Sequence, residues 1–591
     1  MKKITVDHLA RVEGNGGISA TIDGKVVSDV KFNIYEGPRL VEKLSEGLTP
    51  EEDVSMSPRI CAICTLSHKN AVLRSIESVL KVDVHPKTYL CRELMHMGEI
   101  IESHSLHIYY LSLPDYLGYP NAISMASKYE SEVQIALEMK HFGNHIMKVL
   151  SGRYIHGENP VIGGFGKFPS EEELLSIKNK AIQSMSSVKK TVQLFCDLDY
   201  PDIPEKETVY ACCEPGNNDY GFWGDEILLS TGEKYYKDDY QKLTNEFIVP
   251  YSFCKRSRYK GEPYSVGALA RVNILGKRFK GETGVLFNKY YNDRWKTNPL
   301  FHNAAQAIEI SYCYEKIVEL VDKILQFKEN PRPVEYTVKS GKGTGIVEAP
   351  RGLLIHHHEI NNGRISHVDI VTPTAQNAED IEKYCHIAAQ KLLDEGQEDE
   401  IKQRMEIVVR AFDPCISCSA HMAEVTHAPS GNWKKKLNDI RNNGCPVYIG
   451  AGKQNRNDDA NGIMIAQGLR DLGFKDVWME SEIIRSNNLD QYNEQNTLIF
   501  FDAVDFNEKA GKITVLPLEF ILSHSSVSHK FIPFLSSIKN TSMQKNAFVV
   551  GIQPDSVSRG NKLSPPVQKS INKIINHFKH SQQRCDIFAE N

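Results

Sequence analysis

The chain has 591 residues, too many for one ordinary domain, and its 41% hydrophobic and 25% charged residues are typical of a globular protein. Its 70 basic and 75 acidic residues nearly cancel, so composition gives no basic surface for nucleic acid, and no apolar run is long enough for a membrane span. Thirteen scattered cysteines argue against a secreted disulfide framework. These scattered cysteines, together with the lack of a signal-peptide pattern at the start of the sequence, predict a cytoplasmic protein with reduced thiols.

The first 420 residues combine hairpins with long helices. Alternating apolar residues on both sides of the turn at 23–24 predict a hairpin over residues 18–32. From 88 to 195 apolar residues recur every three or four positions, which predicts long buried helices, interrupted near 114–121 and 157–166. A second hairpin region is predicted over 345–375, around an Asn-Gly turn, and helical spacing resumes from 378 to 412. The predicted class is α+β, with a buried helical core and peripheral β-hairpins.

The pattern changes in the last third of the chain. Residues 427–444 are rich in turn formers and charges, which predicts a linker. Beyond them, strands at 446–449, 497–503, 513–517 and 547–552 alternate with helices at 462–472 and near the end. This order predicts a small three-layer α/β domain. The predicted boundaries are a first domain at 1–424, a linker at 425–443 and a second domain at 444–591.

Two Cys-x-x-Cys units are the strongest chemical signal. Cys61 and Cys64 lie in RICAICTLSH, and Cys415 and Cys418 lie in DPCISCSAH. The two-residue spacer lets both sulfurs of a unit face one point, and four thiolates suit zinc, iron–sulfur or another thiophilic metal. The units lie about 350 positions apart, whereas zinc ribbons bring their pairs within roughly 15–20 residues. Three alternatives remain on spacing: a long-range zinc site, two unrelated motifs, or a deeply buried metal centre.

The residues around these units resemble the paired nickel-binding signatures of nickel–iron hydrogenase large subunits. His68 follows the first unit, His421 follows the second, and the second unit opens with Asp-Pro. Three further segments are similar to other motifs of that family: ARVEGNGG at 10–17, GPRLVEK at 37–43 and EAPRG at 348–352. The resemblance covers residues 1–421. It implies the hydrogenase large-subunit fold and the reversible heterolytic cleavage of dihydrogen to protons and electrons.

The resemblance also implies a cofactor. All four cysteines would bind nickel, with Cys64 and Cys418 bridging to an iron that carries CO and CN ligands; soft thiolates suit such a centre. Glu13, in the first motif, would accept a proton from Cys415, since a buried carboxylate is suited to proton transfer. The alternative for Glu13 is a salt bridge near the N-terminus.

Arg351 matches an arginine beside the open metal position in this family. It would act there as a permanent cation, or pair with a carboxylate such as Asp115 or Asp413, and both roles are compatible.

A magnesium ion is implied at Glu42 and His421, where the alternative is an ordinary buried Glu–His pair. His68 would hydrogen-bond to a bridging sulfur and tune the centre. Two residues depart from the family pattern: Ala62 replaces a glycine, and Asn15 replaces a histidine. Ala62 would be strained if its position requires a positive φ.

The other cysteines form no third group that could hold an iron–sulfur relay. The resemblance therefore implies an iron–sulfur small subunit and further electron-transfer subunits, together with hydrogenase maturation and nickel-delivery proteins as partners. Two alternatives to the enzyme remain. One is a non-catalytic hydrogen sensor or metal-binding assembly scaffold, and the other is the related subunit of respiratory complex I, which the four thiols argue against.

The C-terminal domain resembles hydrogenase maturation endopeptidases through the segments IGAGKQNRNDDANG, FFDAVDF, SSVSHKF and VVGIQPDSV. Large subunits of the family are trimmed after the last-motif histidine, which places the cut here between His421 and Met422. The resemblance implies that Asp459, Asp502 and His529 gather around a nickel ion, and that the domain performs this cleavage.

Alternatives remain for these residues. Asp459 would be an N-cap for the following helix, and His529 would be a surface histidine, with His524 as a competing ligand. Lys453 and Ala460 depart from the glycine-rich loop of the family.

Overall fold

The computed structural model describes residues 2–37, 40–203, 208–216, 218–249, 251–420, 433–442, 445–486, 496–504, 509–518, 547–556, 560 and 562–589. The chain forms two compact units. Unit 1 comprises Met1–Glu36, Leu40–Phe247 and Cys254–His421, and unit 2 comprises Gly37–Arg39, Ile248–Phe253 and Met422–Asn591. Across the described ranges, no helix combines the length and apolarity that crossing a bilayer requires.

Unit 1 opens with an antiparallel sheet of β1 (Lys2–Val6), β2 (Gly16–Asp23) and β3 (Val26–Ile34) in that order. The last two strands form the hairpin expected over residues 18–32. Their alternate residues Ile18, Ala20 and Ile22 are buried, as a half-buried strand requires. The first strand, which sequence patterning missed, pairs along the free edge of β2.

Helices form the core of unit 1, with an uninterrupted run from 86 to 117 that passes through a π-type segment at Leu106–Ser112 and ends before Gly118. The α-helices are α1 (Val41–Ser45), α2 (Pro50–Met56), α3 (Thr65–Leu80), α4 (Pro86–Ser105), α5 (Leu113–Leu117), α6 (Ala122–Ala126), α7 (Glu130–Ser151), α8 (Glu171–Gln183), α9 (Met185–Cys196), α10 (Ala268–Leu275), α11 (Gly281–Tyr290), α12 (Arg294–Thr297), α13 (His302–Leu325), α14 (Pro373–Asp394), α15 (Ile401–Ala411) and α16 (Ile416–Ser419). The region predicted as helical over 378–412 is thus two helices, broken at Gly396, which has φ 74°.

The remaining strands between residues 160 and 371 are short, apart from one three-stranded antiparallel sheet. They are β4 (Pro160–Val161), β5 (Gly164–Phe165), β6 (Val209–Glu214), β7 (Glu226–Leu229), β8 (Lys234–Tyr236), β9 (Phe247–Val249), β10 (Ser252–Arg256), β11 (Tyr264–Ser265), β12 (Gly341–Ala349), β13 (Gly352–Asn361) and β14 (Arg364–Val371). The long sheet is β12-β13-β14, with Asn362 and Gly363 forming the predicted turn at positive φ. Helix α3 lies on this sheet, and Ser75 donates a hydrogen bond to the carbonyl of Gly343 at 2.8 Å.

Unit 2 contains a five-stranded sheet in the order β16-β15-β17-β19-β18, parallel except for β18. Its strands are β15 (Cys445–Gly450), β16 (Val477–Met479), β17 (Asn496–Ala503), β18 (Ile513–Pro517) and β19 (Ala547–Ile552). Its helices are α17 (Trp433–Asn442), α18 (Asn461–Asp471), α19 (Glu480–Ser486) and α20 (Pro565–Ala589).

Helix α17 corrects the predicted linker over residues 425–443. Its apolar residues Trp433, Leu437 and Ile440 recur at helical spacing, and Leu437 is fully buried in one core of unit 2. The three lysines beside them obscured this face in the sequence.

Candidate functional site

Four cysteine thiols converge in the interior of unit 1. Cys61 follows a 3-10 turn, Cys64 directly precedes α3, and Cys415 and Cys418 lie at the start of α16 and within it. The Sγ atoms are 3.5 Å apart between Cys61 and Cys415 and between Cys64 and Cys418, and 2.8 Å apart between Cys415 and Cys418. All four sulfurs lie within 4.8 Å of one another. This cluster, named here the thiol cluster, is a soft donor set for one metal unit.

The thiol cluster is buried, with its four residues between 1% and 4% exposed. Hydrogen bonds from neighbouring thiols hold the pKa of Cys61 well below its usual value. The thiols of Cys415 and Cys418 act to lower the pKa of Cys64, but Cys61 and burial outweigh them and raise it to about 11. Burial raises the pKa values of Cys415 and Cys418. One thiol therefore ionises readily, and a metal that binds here must displace protons from the others.

Contacts from distant parts of the chain fix the second pair of thiols. A parallel β-bridge joins Glu13 to Cys415, and the N–H of Ile416 donates to the carbonyl of Glu13 at 3.1 Å. The N–H of Cys415 donates to Oγ1 of Thr374 at 2.9 Å. The first motif of the chain is thereby held against the last.

The predicted ligand-contacting histidine lies at the cluster. His68 Nε2 is 3.7 Å from the Sγ of Cys418, and its Nδ1 is 2.9 Å from Nε2 of His356. Burial lowers the pKa of His68 to about 4, so the ring is neutral at pH 7. Sequence reasoning missed His356, which faces the interior from β13 in a run of three histidines.

Arg351 pairs with Asp413 and not with Asp115, the other predicted carboxylate. Its Nε donates to the carbonyl oxygen of Asp413 at 2.8 Å, and its Nη2 donates to Asp413 Oδ1 at 3.0 Å. Burial acts to lower the pKa of Arg351, but Asp413 and the nearby thiols raise it further above its usual range. Its buried Nη1 has no hydrogen-bond partner among the described residues.

Asp115 is committed elsewhere, which corrects its predicted place at the site. It accepts hydrogen bonds from Nε and Nη2 of Arg410 at 2.7 and 2.9 Å, and it pairs with Arg11. Arg410 binds this carboxylate because α5 lies beside the end of α15, and Arg11 binds it from the loop after β1. Motif spacing does not reveal these contacts.

Glu13 is partly buried beside the thiol cluster and connects to a second carboxylate. The N–H of Ser417 donates to Glu13 Oε2 at 3.0 Å, and the hydroxyl of Ser417 donates to Glu36 Oε1 at 2.7 Å. Sequence reasoning missed Glu36, although it directly precedes the second motif.

The two residues that depart from the family pattern, Ala62 and Asn15, cause no backbone strain, since neither has a positive φ.

The predicted magnesium ligand Glu42 lies in an acidic pocket of unit 1. Lys255 Nζ is 3.1 Å from Glu42 Oε1, 3.0 Å from Glu246 Oε2 and 3.9 Å from Asp369 Oδ1. Burial raises the pKa of Glu246 to about 7, against the opposing effect of Lys255, and its Oε1 has no partner among the described residues. Three carboxylates thus surround one ammonium group. His421, the other predicted ligand, and Met422 lie outside the described residues.

Unit 2 places two of its three predicted ligands together. Asp459 lies in a 3-10 turn before α18, and Asp502 lies near the end of β17. Burial raises the pKa of Asp459, and burial together with Asp459 and Glu480 raises that of Asp502. Asp502 is 1% exposed, and its Oδ2 has no partner within the described part of the chain. His529 and His524 lie outside the described residues.

The structure separates the roles of two adjacent aspartates in that turn. Asp458 accepts hydrogen bonds from the N–H groups of Asp555, Ser556 and Ser564, and from the hydroxyl of Ser564. Asp458 therefore ties the turn to a neighbouring loop. The N-cap alternative for Asp459 is not observed, because the N-cap position of α18 has no side-chain hydrogen bond.

Asp459 instead faces the glycine-rich loop after β15. The N–H of Lys453 donates to Asp459 Oδ2 at 3.1 Å. Gly452 has φ 118°, and a Cβ there would lie 1.8 Å from the carbonyl oxygen of Asp459. The close approach of loop and turn thus requires glycine at this position.

Two family profiles match the chain. Residues 39–135 and 217–421 match the family described as nickel-dependent hydrogenase, and residues 485–580 match the family described as hydrogenase maturation protease.

Relatives and solved structures cover the same part of the chain. Sulfhydrogenase 1 subunit alpha of Pyrococcus furiosus is 38% identical over 423 residues, which are 71% of this chain and 98% of the relative. Sulfhydrogenase 2 subunit alpha of the same organism is 40% identical over 424 residues, 71% of this chain and 100% of the relative. A crystal structure of an NAD+-reducing nickel–iron hydrogenase in the H2-reduced state superposes with a TM-score of 0.65 at 26% identity, covering 71% of this chain and 100% of that one.

Proposed function

The chain belongs to the nickel-dependent hydrogenase family, as a large subunit that also carries a maturation-protease domain, and from this we propose that it catalyses the reversible heterolytic cleavage of dihydrogen. The observation that carries the proposal is the convergence of four buried thiols from the two ends of unit 1. Their donor type and burial fit a nickel–iron centre held by Cys61, Cys64, Cys415 and Cys418. Bound there, with CO and CN on iron, the centre supplies the Lewis-acid and redox chemistry.

In this proposal, residues of the chain stabilise the negative charge that develops in the reaction and accept the proton that it releases. Arg351 is fixed by Asp413 near the thiols, and its buried Nη1 has no hydrogen-bond partner among the described residues. A permanent cation at this place stabilises developing negative charge. Glu13, bridged through its backbone to Cys415, accepts the proton that leaves the cysteine sulfur. Ser417 joins Glu13 to Glu36, since its N–H donates to Glu13 Oε2 and its hydroxyl donates to Glu36 Oε1. His68, neutral at pH 7, lies with its Nε2 3.7 Å from the sulfur of Cys418, where it would tune that sulfur.

Electrons leave through a partner in this proposal. Among the described residues the thiol cluster is the one group of converging cysteines, and we propose that an iron–sulfur small subunit and further electron-transfer subunits carry the electrons onward. The names of the relatives describe them as alpha subunits, which supports a multisubunit assembly. We place this assembly in the cytoplasm, as the sequence predicts.

A magnesium ion fits the acidic pocket at Glu42. The pocket holds two more carboxylates than ammonium groups, and the buried Glu246 Oε1 lacks a partner among the described residues. Oxygen ligands of this kind suit a hard divalent cation, with His421 as a further ligand.

The C-terminal domain is proposed to cut the chain between His421 and Met422. Asp459 and Asp502 supply two carboxylates with raised pKa values, a combination that a bound metal cation relieves, and His529 would complete a nickel site. Nickel insertion and delivery proteins would act before the cut.

One experiment tests the hydrogenase proposal against a zinc scaffold or sensor. The chain is purified with its partner subunits after expression with maturation factors, and hydrogen-dependent dye reduction is measured beside nickel, iron and zinc content. The proposal requires dye reduction with stoichiometric nickel and iron, and infrared bands from the diatomic ligands. Zinc alone, without activity, would show that the thiol cluster has another role.

A further inference from the structure

A fully buried arginine that motif reasoning did not select lies behind the turn that carries Arg351. Arg271, on α10, has all five N–H donors engaged. Nε and Nη2 donate to the two oxygens of Glu309 at 2.6 and 2.8 Å, and Nη1 donates to Glu348 Oε2 at 2.6 Å. Nη1 and Nη2 also donate to the carbonyls of Ala349 and Pro350, each at 3.1 Å. The last two contacts hold the two peptide groups directly before Arg351.

The same turn also packs closely against the start of α10. Gly352 follows Arg351 with φ 134°, and a Cβ there would lie 2.6 Å from a methyl group of Val266 and 2.7 Å from the N–H nitrogen of Gly267. The carbonyl oxygen of Arg351 lies 3.0 Å from the place a Cβ of Gly267 would take. The backbone around Arg351 is therefore held by hydrogen bonds from Arg271 and by close packing against the start of α10, the helix that carries Arg271.

The carboxylates that hold Arg271 are themselves fixed. Glu309 also accepts from the hydroxyl of Tyr220 and lies 2.7 Å from Nε2 of His104. Glu348 accepts from the N–H of Cys213 at 2.6 Å. Because every partner is buried and bound, the guanidinium of Arg271 has one available orientation.

We infer that Arg271 is a positioning residue for hydrogen activation, which acts by holding the Ala349–Pro350 peptide so that Arg351 reaches both Asp413 and the thiol cluster. This inference rests on the proposed function, since it assigns Arg271 a part in the same chemistry. A misplacement of about 1 Å at a reacting site costs as much as 100-fold in rate. The effect of Arg271 on the reaction is indirect, because its guanidinium contacts the backbone of the turn and not the thiols.

The test compares Arg271→Lys with Arg92→Lys in the complex with its partner subunits. Arg92 is a matched control: it is 2% exposed, binds both oxygens of Glu77 at 2.9 and 2.7 Å and donates to the Val161 carbonyl at 2.8 Å. Lysine keeps the buried charge in both variants but cannot reproduce the planar fork.

Arg271→Lys is expected to lower hydrogen-dependent dye reduction by about 10- to 100-fold with nickel and iron retained, and to shift the infrared bands of the diatomic ligands. Arg92→Lys is expected to leave rate and bands unchanged within about twofold in rate, whatever its melting temperature. In the double variant Arg271→Lys/Arg351→Lys, the rate should match that of Arg351→Lys alone, because both changes act through one side chain.

Glu348→Gln provides a second, milder variant should Arg271→Lys not fold. It weakens one ion pair of Arg271 and is expected to lower the rate by roughly 3- to 10-fold and to shift the infrared bands relative to the wild type. Wild-type behaviour of either variant, or effects that multiply in the double variant, would overturn the inference while leaving an active wild type and the proposed function intact. An inactive wild-type complex with stoichiometric nickel and iron would overturn both.

Discussion

Buried cysteines of unit 1 differ in what surrounds them, and this difference decides their chemistry. Cys385 is as buried as the thiols of the cluster, but it lies in the hydrophobic core, where its Sγ donates to the carbonyl of Met405 at 3.7 Å and burial raises its pKa. Cys415 has two other sulfurs within 3.5 Å and Arg351 nearby. A lone buried thiol stays protonated and inert, whereas grouped thiols form a metal site.

Cys415→Ser is therefore expected to abolish nickel retention and to lower hydrogen-dependent dye reduction by about 100-fold or more, because a hydroxyl is a poor ligand for a thiophilic metal. Metal analysis and the dye assay on the purified complex measure both effects. Cys385→Ser is the control and should keep its nickel and its rate within about twofold. Full nickel occupancy in Cys415→Ser would contradict the assigned ligand.

Two buried aspartates of unit 2, Asp458 and Asp502, are expected to respond in opposite ways to loss of charge. Asp458→Asn should destabilise unit 2 by roughly 2–3 kcal/mol, because its carboxylate satisfies three N–H groups and a hydroxyl, which an amide cannot all replace. Asp502→Asn should keep or raise stability, because the buried carboxyl has a raised pKa and one unpartnered oxygen among the described contacts.

Calorimetry of the metal-free full chain compares the melting temperatures of the two asparagine variants with the wild type. Equal destabilisation by both changes would show that Asp502, like Asp458, has a structural role.

Among the elements, α3 has an unusual beginning for a helix that carries a metal ligand. Its N-cap residue Cys64 makes no side-chain cap. Glu99, from the middle of α4, accepts hydrogen bonds from the N–H groups of Leu66 at 2.5 Å and Ser67 at 2.8 Å. A carboxylate from a neighbouring helix thus replaces the local cap, and the start of α3 is held by tertiary contacts.

Burial raises the pKa of Glu99 to about 8, despite the opposing hydrogen bonds from Ser67 and Leu66. A carboxyl whose pKa is higher in the folded than in the unfolded state stabilises the fold below its unfolded pKa of about 4.5, and this contribution is lost as the pH rises through about 8. Glu99→Gln should therefore lower the free energy of unfolding overall. It should also reduce how much that free energy decreases between pH 5 and pH 9.

Urea unfolding midpoints across that pH range give the slope for the wild type, Glu99→Gln and the exposed control Glu138→Gln. The control should keep the wild-type slope. An unchanged slope in Glu99→Gln would mean that Glu99 is already ionised in the folded protein at pH 5.

At the scale of the whole molecule, the relatives match 71% of this chain over nearly their whole length, and unit 2 is additional to that match. The chain thus joins a hydrogenase large subunit to a protease-type domain, with the predicted cleavage site between them in sequence. A fused protease is present at one copy for each substrate, so cleavage within a chain would not depend on protein concentration.

Mass spectrometry of the chain expressed with nickel and maturation factors should therefore detect two products, one that ends at His421 and one that begins at Met422. Asp502→Asn is expected to leave the chain intact, whereas Asp476→Asn, an exposed aspartate of the same unit, should be cut like the wild type. Mixing wild type with Asp502→Asn distinguishes cleavage within a chain from cleavage between copies. An intact wild-type chain with a fully metallated site would contradict the proposed protease activity.

The sequence by itself determined the donor atoms and most elements of this protein. A two-residue spacer makes each cysteine pair a chelate whatever surrounds it. Sequence patterns predicted the β2–β3 hairpin, the Asn-Gly turn between β13 and β14, and four of the five strands of unit 2, because these signals depend on neighbours in sequence. The short strand β16 was missed. Local signals failed where a polar exterior concealed an apolar face, as in α17.

Only the tertiary structure decided which charges meet. It paired Arg351 with Asp413 and gave Asp115 to Arg410, it placed Lys255 beside Glu42, and it put Arg271 behind the catalytic turn. These partners lie far apart in the chain, and the cost of leaving a buried charge without a partner selects them only after the helices and sheets have packed.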